Sequence, residues 1–175
     1  TWIASSEGLY SYDNNYKKNY KINYFALIRS VVIGEDSVLF NGTYFKLKNK
    51  PTGKFSFDSL EISTTQPEEL KPVLAYNNNN LTFTFAAPFF EDENATQFSH
   101  FLEGNDEGWS KWKSETKAIY TNLQEGNYIF HVKAKNIFGA ESKIASYSFT
   151  IKPPWYRTIW AYISYVVLLI LFIWG

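Results

Sequence analysis

The sequence contains no cysteine. This absence excludes disulfide bonds, thiol catalysis and metal sites built on thiolates, and it leaves both the cytoplasm and the bacterial periplasm open as compartments. An excess of charge of either sign is also missing, because Lys and Arg together number 17 and Asp and Glu together number 17. That balance argues against a nucleic-acid-binding surface, which is usually basic, and the abundant aromatic residues argue against a disordered acidic tail.

Recognisable catalytic motifs are absent as well. There is no G-x-S-x-G and no P-loop, and the two histidines, His100 and His131, have no H-x-x-H or H-E-x-x-H spacing. The acidic residues at 91–93 and at Asp106-Glu107 lack the ligand spacing of a calcium loop, so we expect solvated turn residues there, with a Ca²⁺ site as the weaker alternative. We therefore predict no catalytic residue, no cofactor and no metal site in this chain, and no enzymatic activity of its own.

The C-terminal run from Ile159 to Gly175, IWAYISYVVLLILFIWG, carries no charge. At ~1.5 Å per residue it reaches only ~25 Å, short of a hydrocarbon core of ~30 Å. Rings that settle at the headgroup level crowd its N-terminal side, namely Trp155, Tyr156, Trp160, Tyr162 and Tyr165. We predict a truncated transmembrane helix over 158–175 that continues past Gly175 in a longer protein. The alternative is a buried core helix.

Apolar and polar residues alternate in several short segments, which is typical of strands with one buried face. This alternation predicts strands near 25–33, 37–41, 81–87, 98–103, 128–135 and 145–151. It also places His100 on the core side and His131 outward. We therefore expect a mainly β fold, an antiparallel β-sandwich of the immunoglobulin or fibronectin-III type. Residues 2–4 and 9–12 predict an N-terminal hairpin that needs a larger assembly to bury its apolar face.

The segment from Leu123 to Tyr128, LQEGNY, predicts a tyrosine corner. A turn that ends in Gly126 is followed by a tyrosine at the start of an alternating strand. In a tyrosine corner the ring packs in the core while its hydroxyl bonds to backbone a few residues upstream. The alternative is a tyrosine that only fills the core, and in both cases Tyr128 is structural.

The same region resembles the triple-tyrosine domain of bacterial receptors. That family shows a Y-x-Y-x-L-E-G-x-D-x-x-W block, then a tyrosine strand, then L-x-x-G-x-Y-x-F-x-V-x-A, and here the first block is FSHFLEGNDEGW. Phe98 and His100 stand where the family usually has two tyrosines, which removes any hydroxyl role there. The signature residues carried by the resemblance are Trp2, Gly8, Leu9, Phe98, Leu102, Gly104, Asp106, Trp109, Tyr120, Leu123, Gly126 and Tyr128.

The resemblance also implies a domain order. The N-terminal WIASSEGLYSYD is similar to the last repeat of a β-propeller, and PPWYRTIWAY is similar to the junction with a membrane helix. The expected segments are a propeller end with connecting strands at 1–50, a linker at 51–72, the sandwich at 73–152, a proline hinge at 153–157 and the membrane helix at 158–175. We expect a homodimer in the bacterial inner membrane with residues 1–157 in the periplasm.

The function implied is signal relay. Pro153, Pro154 and Trp155 follow the last strand directly, and consecutive prolines favour a stiff extended path. We expect this hinge to pass a change in the sandwich to the membrane helix. The trigger would be an unidentified ligand at an upstream propeller, with an oligosaccharide as one candidate, and the output a cytoplasmic histidine kinase or transcription regulator. The alternative is a membrane-anchored carbohydrate-binding or adhesion module, for which Trp112 is the candidate ligand contact and Trp109 the weaker one.

Overall fold

The computed structural model describes residues 1–6, 8–11, 13, 15, 23–34, 36–47, 60–89 and 95–174. Over these residues the polypeptide forms short strands and one C-terminal helix, α1 (Ile159–Trp174). The strands are, in chain order, β1 (Trp2–Ser5), β2 (Gly8–Ser11), β3 (Leu27–Ile33), β4 (Ser37–Asn41), β5 (Tyr44–Leu47), β6 (Leu60–Ser63), β7 (Val73–Leu74), β8 (Leu81–Ala86), β9 (Gln97–Glu103), β10 (Lys117–Tyr120), β11 (Gly126–Lys135) and β12 (Ala145–Ile151).

Two four-stranded sheets form a sandwich, with strand orders β10-β8-β3-β4 and β7-β12-β11-β9. Neighbouring strands are antiparallel except β12 and β7, which run parallel. The inward faces share one core, in which the ring of Phe83 on β8 stacks on that of Phe130 on β11 with centroids 4.0 Å apart. Burial alternates along β8, β11 and β12, as period-two patterning requires. The predicted mainly β sandwich is therefore confirmed.

The two sheets are also tied together along one side of the sandwich. The amide of Lys143 donates to the carbonyl oxygen of Tyr24 at 2.9 Å, and the amide of Ala26 donates to the carbonyl oxygen of Lys143 at 3.2 Å. The buried Tyr24 hydroxyl donates to the carbonyl oxygen of Ala140 at 2.8 Å. These bonds fix the segment before β3 to the strand region before β12.

The domain boundaries predicted from the sequence need two corrections. The sandwich does not begin at residue 73, because β3 and β4 belong to the same sheet as β8 and β10. Residues 60–72 are not a free linker, since β6 pairs with β5 and the side-chain amide of Gln66 exchanges two hydrogen bonds with the backbone of Ser148, at 3.0 and 2.6 Å. Alternation reveals which face of a strand is buried but not which strand lies beside it. The remainder of the predicted linker, 51–59, lies outside the described residues.

The predicted N-terminal hairpin is confirmed. β1 pairs with β2 in antiparallel register, from Trp2 opposite Ser11 to Ser5 opposite Gly8. Its large apolar side chains are exposed in this chain, among them those of Trp2, Ile3 and Leu9. Whether the hairpin completes a propeller stays a prediction.

The C-terminal helix α1 leaves its apolar side chains exposed, and only Ala161 is buried. Ser164 turns its hydroxyl back to the helix, donating to the carbonyl oxygen of Ala161 at 2.7 Å. Among the described residues, no helix is both long and apolar enough to meet the criteria for a membrane span.

Candidate functional site

The LEG block of β9 ends in a turn that Asp106 closes. One carboxylate oxygen of Asp106, Oδ2, accepts the backbone amide of Leu102 at 2.8 Å and the hydroxyl of Tyr120 at 2.8 Å. The other oxygen, Oδ1, accepts the side-chain amide of Asn105 at 2.9 Å. The carboxylate of Asp106 is thus engaged by the turn and by β10. Its place in the signature fits this role, because a single acceptor oxygen, Oδ2, joins the turn to the tyrosine.

His100, Tyr120 and Asp106 form a hydrogen-bonded chain beneath that turn. The phenol of Tyr120 has one proton, which it donates to Asp106, so Nδ1 of His100 carries the hydrogen in the 3.0 Å contact between His100 and the phenol oxygen. The imidazole also packs against the rings of Phe85 and Phe130. The prediction that His100 faces the core is confirmed, although the ring is half-buried and not fully buried. Sequence analysis did not identify Tyr120 as the partner of Nδ1.

Burial shifts the pKa values of this chain of groups. Desolvation lowers the pKa of the His100 imidazole, because loss of water disfavours the charged ring, and the nearby Asp106 partly opposes the shift. Desolvation, followed by the hydrogen bond to Asp106, raises the pKa of the Tyr120 phenol. Around neutral pH we therefore expect a neutral imidazole and a neutral phenol, which suits a structural network.

The predicted tyrosine corner is present. The ring of Tyr128 is buried and stacks on that of Phe149, while its hydroxyl donates to the carbonyl oxygen of Gln124 at 2.9 Å. Gly104 of the LEG block lies directly against this corner with a φ of +95°, and a Cβ there would come within 2.9 Å of the carbonyl oxygen of Asn127 and 3.0 Å of the Tyr128 ring. The two signature blocks therefore meet in space, and this contact explains why the first one needs glycine.

The outer face of the β9–β11 pair carries aromatic rings and lysines. Trp109 is 41% exposed and packs against Phe101 and His131, so it lies on the face of the sheet and not in the core. The ammonium of Lys133 lies 4.8 Å from the Trp109 ring centroid and 5.1 Å from that of Trp112, and the ammonium of Lys135 lies 4.5 Å from the latter. The outward position predicted for His131 is confirmed. Both tryptophans already make cation–π contacts within the chain.

Metal binding finds no support in the described part of the chain. Within the described ranges there is no group of three or more His, Asp or Glu side chains in a metal-binding arrangement. The predicted acidic turn at 91–93 lies outside those ranges.

The junction between the sandwich and α1 is the second candidate site. β12 ends at Ile151, opposite Gly126, and the amide of Lys152 donates to the carbonyl oxygen of Leu74 at 2.9 Å. Pro153 is exposed and Pro154 is buried, and a turn of 3-10 helix follows at Trp155–Arg157. Trp155 itself is 77% exposed. Only one residue, Thr158, separates this turn from α1.

An ion pair crosses the junction. The guanidinium of Arg157 binds Oε1 of Glu125, which lies in the tyrosine-corner turn. Sequence analysis missed this pair, because the two residues belong to different structural elements and no local pattern connects them. The only available signal was a single positive charge just before the apolar run.

The signature residues occupy three kinds of position. Phe98, Leu102, Leu123 and Tyr128 are in the core, Asp106, Tyr120 and Gly126 are half-buried, and Trp2, Gly8, Leu9, Gly104 and Trp109 are exposed. Gly104 joins the first signature block to the tyrosine corner, and Asp106 joins it to Tyr120. The hairpin strands β1 and β2 pair with each other. Trp112, the candidate ligand contact, is half-buried.

Residues 89–152 match the model of one protein family, the Y_Y_Y domain. This stretch is similar to the Y_Y_Y domain. The resemblance to the triple-tyrosine domain is therefore confirmed for this stretch. The contacts of Tyr120, Tyr128 and Asp106 are contacts within that domain.

Histidine kinase P4 of Formosa agariphila is a relative of this chain, with 27% identity over 203 aligned residues. The match covers 95% of this chain and 14% of that protein, so the chain spans about a seventh of its relative. Two solved structures from B. thetaiotaomicron share the fold. The extracellular domain of BT3049 has a TM-score of 0.54 and 17% sequence identity, and the match covers 87% of this chain and 20% of that one. The extracellular domain of BT4673 has a TM-score of 0.53 and 20% sequence identity, and the match covers 88% of this chain and 19% of that one. Both are described as hybrid two component systems.

Proposed function

We propose that this chain is the extracytoplasmic transmission segment of a bacterial membrane receptor. It would relay ligand binding at an upstream β-propeller to a cytoplasmic histidine kinase or transcription regulator. The Y_Y_Y domain, the kinase relative and the fold shared with extracellular domains of hybrid two component systems all support this proposal. No catalytic role is assigned to the residues of this chain, and any kinase would lie outside them.

The observation that carries the proposal is the short, stiff exit from the sandwich. The last core strand ends at Ile151, and the two prolines follow after Lys152 alone. Proline fixes φ near −65° and has no amide hydrogen, so this exit has little freedom compared with a Gly/Ser linker. A rotation of the sandwich would therefore turn α1 by nearly the same angle.

The helix is proposed as part of a membrane anchor over residues 158–175. Its apolar side chains point outward in all directions, it carries no charge, and a water-exposed surface of this kind is unfavourable outside lipid or a protein partner. The rings of Trp155 and Tyr156 lie just before it, where headgroups would surround them. Residues 1–157 would then lie in the periplasm.

The exposed hairpin β1–β2 is proposed as the end of the propeller. Its exposed Trp2, Ile3 and Leu9 need a partner surface to cover them. The ligand, for which an oligosaccharide is the candidate, would bind that propeller. A homodimer is proposed because two sandwiches can adopt two relative orientations. Each orientation would set a different arrangement of the two C-terminal helices.

The test is a flexible spacer in the full-length receptor. Inserting a short Gly/Ser segment between Lys152 and Trp155 is expected to abolish the response to whichever member of an oligosaccharide panel induces the wild-type output. The matched control places the same insert in the exposed loop between Ser114 and Glu115 and keeps the response. A receptor that responds normally with the junction spacer contradicts the proposal.

A membrane-anchored carbohydrate-binding module is the second candidate. It is favoured by Trp109 and Trp112, which lie on one outer face and could stack on sugar rings. Replacing both with Ala would abolish retention on an immobilised polysaccharide while leaving output unchanged. The receptor proposal expects neither tryptophan to be needed for retention, because it places the ligand on the propeller.

A further inference from the structure

We propose that the ion pair between Glu125 and Arg157 is a second, non-covalent connection between the sandwich and the C-terminal helix. Together with the proline exit it would fix the rotational setting of the helix. The inference rests on the proposed relay function and names the residues that position the helix for it. Neither is one of the signature residues. Glu125 occupies a variable position of the L-x-x-G-x-Y block, and Arg157 is the last residue of the hinge segment 153–157.

The proline exit alone leaves backbone rotations undetermined. Proline fixes φ but leaves ψ adjustable, and Pro154 has φ −63° and ψ 153°. A change in this ψ angle would swing the turn Trp155–Arg157, and α1 with it, around the end of β12. A second attachment point away from the backbone restricts that freedom, because swinging the turn around the end of β12 would separate Arg157 from Glu125.

Glu125 is held firmly on the sandwich side. It lies between Gln124, whose carbonyl oxygen accepts the Tyr128 hydroxyl at 2.9 Å, and Gly126, which pairs with Ile151 of β12. The same turn is fixed from its other side by Asn79, whose backbone and side chain exchange bonds of 3.1 Å with Leu123. The tyrosine corner thereby gives the carboxylate a rigid base in the core.

Arg157 is held equally closely on the helix side. It ends the 3-10 turn, and its amide donates to the carbonyl oxygen of Pro154 at 3.0 Å. The hydroxyl of Thr158 donates to the carbonyl oxygen of Trp155 at 2.7 Å, and the amide of Tyr162 in α1 donates to the carbonyl oxygen of Thr158 at 3.2 Å. The backbone of Arg157 therefore moves with the start of the helix.

The environment of the pair makes each partner depend on the other. The Glu125 side chain is 26% exposed, and its second oxygen, Oε2, is buried without a hydrogen-bond partner among the described residues. Burial costs this carboxylate hydrating water, and in the described part of the chain the guanidinium of Arg157, bound at Oε1, compensates for part of that loss. The Arg157 side chain is 51% exposed, so solvent screens the pair and its effect is moderate. We expect its loss to raise the population of an opened junction by about fivefold, the factor that corresponds to ~1 kcal/mol.

Amide hydrogen exchange at the junction tests the connection directly. In the full-length protein in lipid nanodiscs, Glu125→Gln is expected to speed exchange of the Arg157, Thr158 and Tyr162 amides by about fivefold. The charge swap Glu125→Arg with Arg157→Glu is expected to restore protection. Glu141→Gln is the matched control, because it removes the ion pair with Lys133 at the end of β11 far from Gly126, and it should leave these amides unchanged.

Output is measured on the same variants in the absence of added ligand, as phosphorylation of the full-length protein by labelled ATP for a kinase output domain and as reporter transcription for a transcription regulator. Glu125→Gln is expected to shift this basal output by about fivefold in parallel with exchange, and the charge swap to reverse the shift. Unchanged exchange in Glu125→Gln overturns the connection, and faster exchange with unchanged output overturns its role in relay. A wild-type protein with no output at all would instead contradict the proposed function, while the exchange results would still report on the connection.

Discussion

Replacing Tyr120 with Phe removes one oxygen atom and should destabilise the sandwich by about 2–3 kcal/mol. The lost hydroxyl donates to the Asp106 carboxylate at 2.8 Å and contacts Nδ1 of His100 at 3.0 Å. A hydrogen bond to a charged group contributes about 1.5–3 kcal/mol, and a neutral one about 0.5–1.5 kcal/mol. The ring itself stays, so its edge-on contacts with Phe83 and Phe130 persist and no large cavity forms.

The loss of stability in Tyr120→Phe is smaller than the sum of the contributions of its two hydrogen bonds, to Asp106 and to His100. Asp106 keeps the amide of Leu102 and the side chain of Asn105, and it is part-exposed, so water replaces some of the lost interaction. The Nδ1 hydrogen of His100 is the group left without a partner, and this half-buried donor accounts for much of the cost.

The assay is denaturant unfolding of the chain in mild detergent, followed by far-ultraviolet circular dichroism. Tyr10→Phe is the matched control, since Tyr10 lies exposed on β2, and it should change the free energy of unfolding by less than about 0.5 kcal/mol. If Tyr120→Phe were no more destabilising than this control, the hydrogen-bonded chain through His100 and Asp106 would not contribute as described.

Two further predictions concern the same region. Gly104→Ala should lower the free energy of unfolding by about 2 kcal/mol or more, because its φ of +95° is strained for any other residue and the new Cβ would contact Asn127 and Tyr128. Gly108→Ala is the control, since Gly108 has open space around it, and it should be nearly neutral in the same unfolding assay. The lowered pKa of His100 means that the unfolded chain, with an ordinary pKa of ~6.5, binds the proton first as pH falls. Stability should therefore be full above about pH 7 and decline below it. His100→Tyr should reduce that decline, and an equal pH dependence in both proteins would refute the assignment.

Strands and the tyrosine corner were predictable because their signals are local. Period-two alternation from Gly126 to Lys135 defines one buried face whatever lies beside it. The same reasoning placed His100 inward but could not find Tyr120, which comes from the opposite sheet. Membership of β3 in the sheet of β8 was missed for this reason too, since alternation carries no information about neighbours.

The junction was predictable in part. Consecutive prolines before an apolar run indicate a stiff exit from sequence alone. The ion pair from Arg157 to Glu125 depends on how the tyrosine-corner turn and the end of β12 meet, which only the folded register of β11 with β12 determines. Charges that pair across elements have no spacing rule comparable to the helical i, i+4 rule.

The central claim is that the sandwich and the helix move as one body, and a distance measurement across the junction tests it most directly. Spin labels would be attached through Ile119→Cys on β10 and Trp160→Cys on α1, two exposed sites. The sample is the full-length protein in nanodiscs; this segment has no native cysteine, and any cysteine elsewhere in the protein is replaced. The account predicts one narrow distance distribution that broadens when a Gly/Ser spacer follows Lys152. A distribution already broad in the protein without the spacer would contradict it.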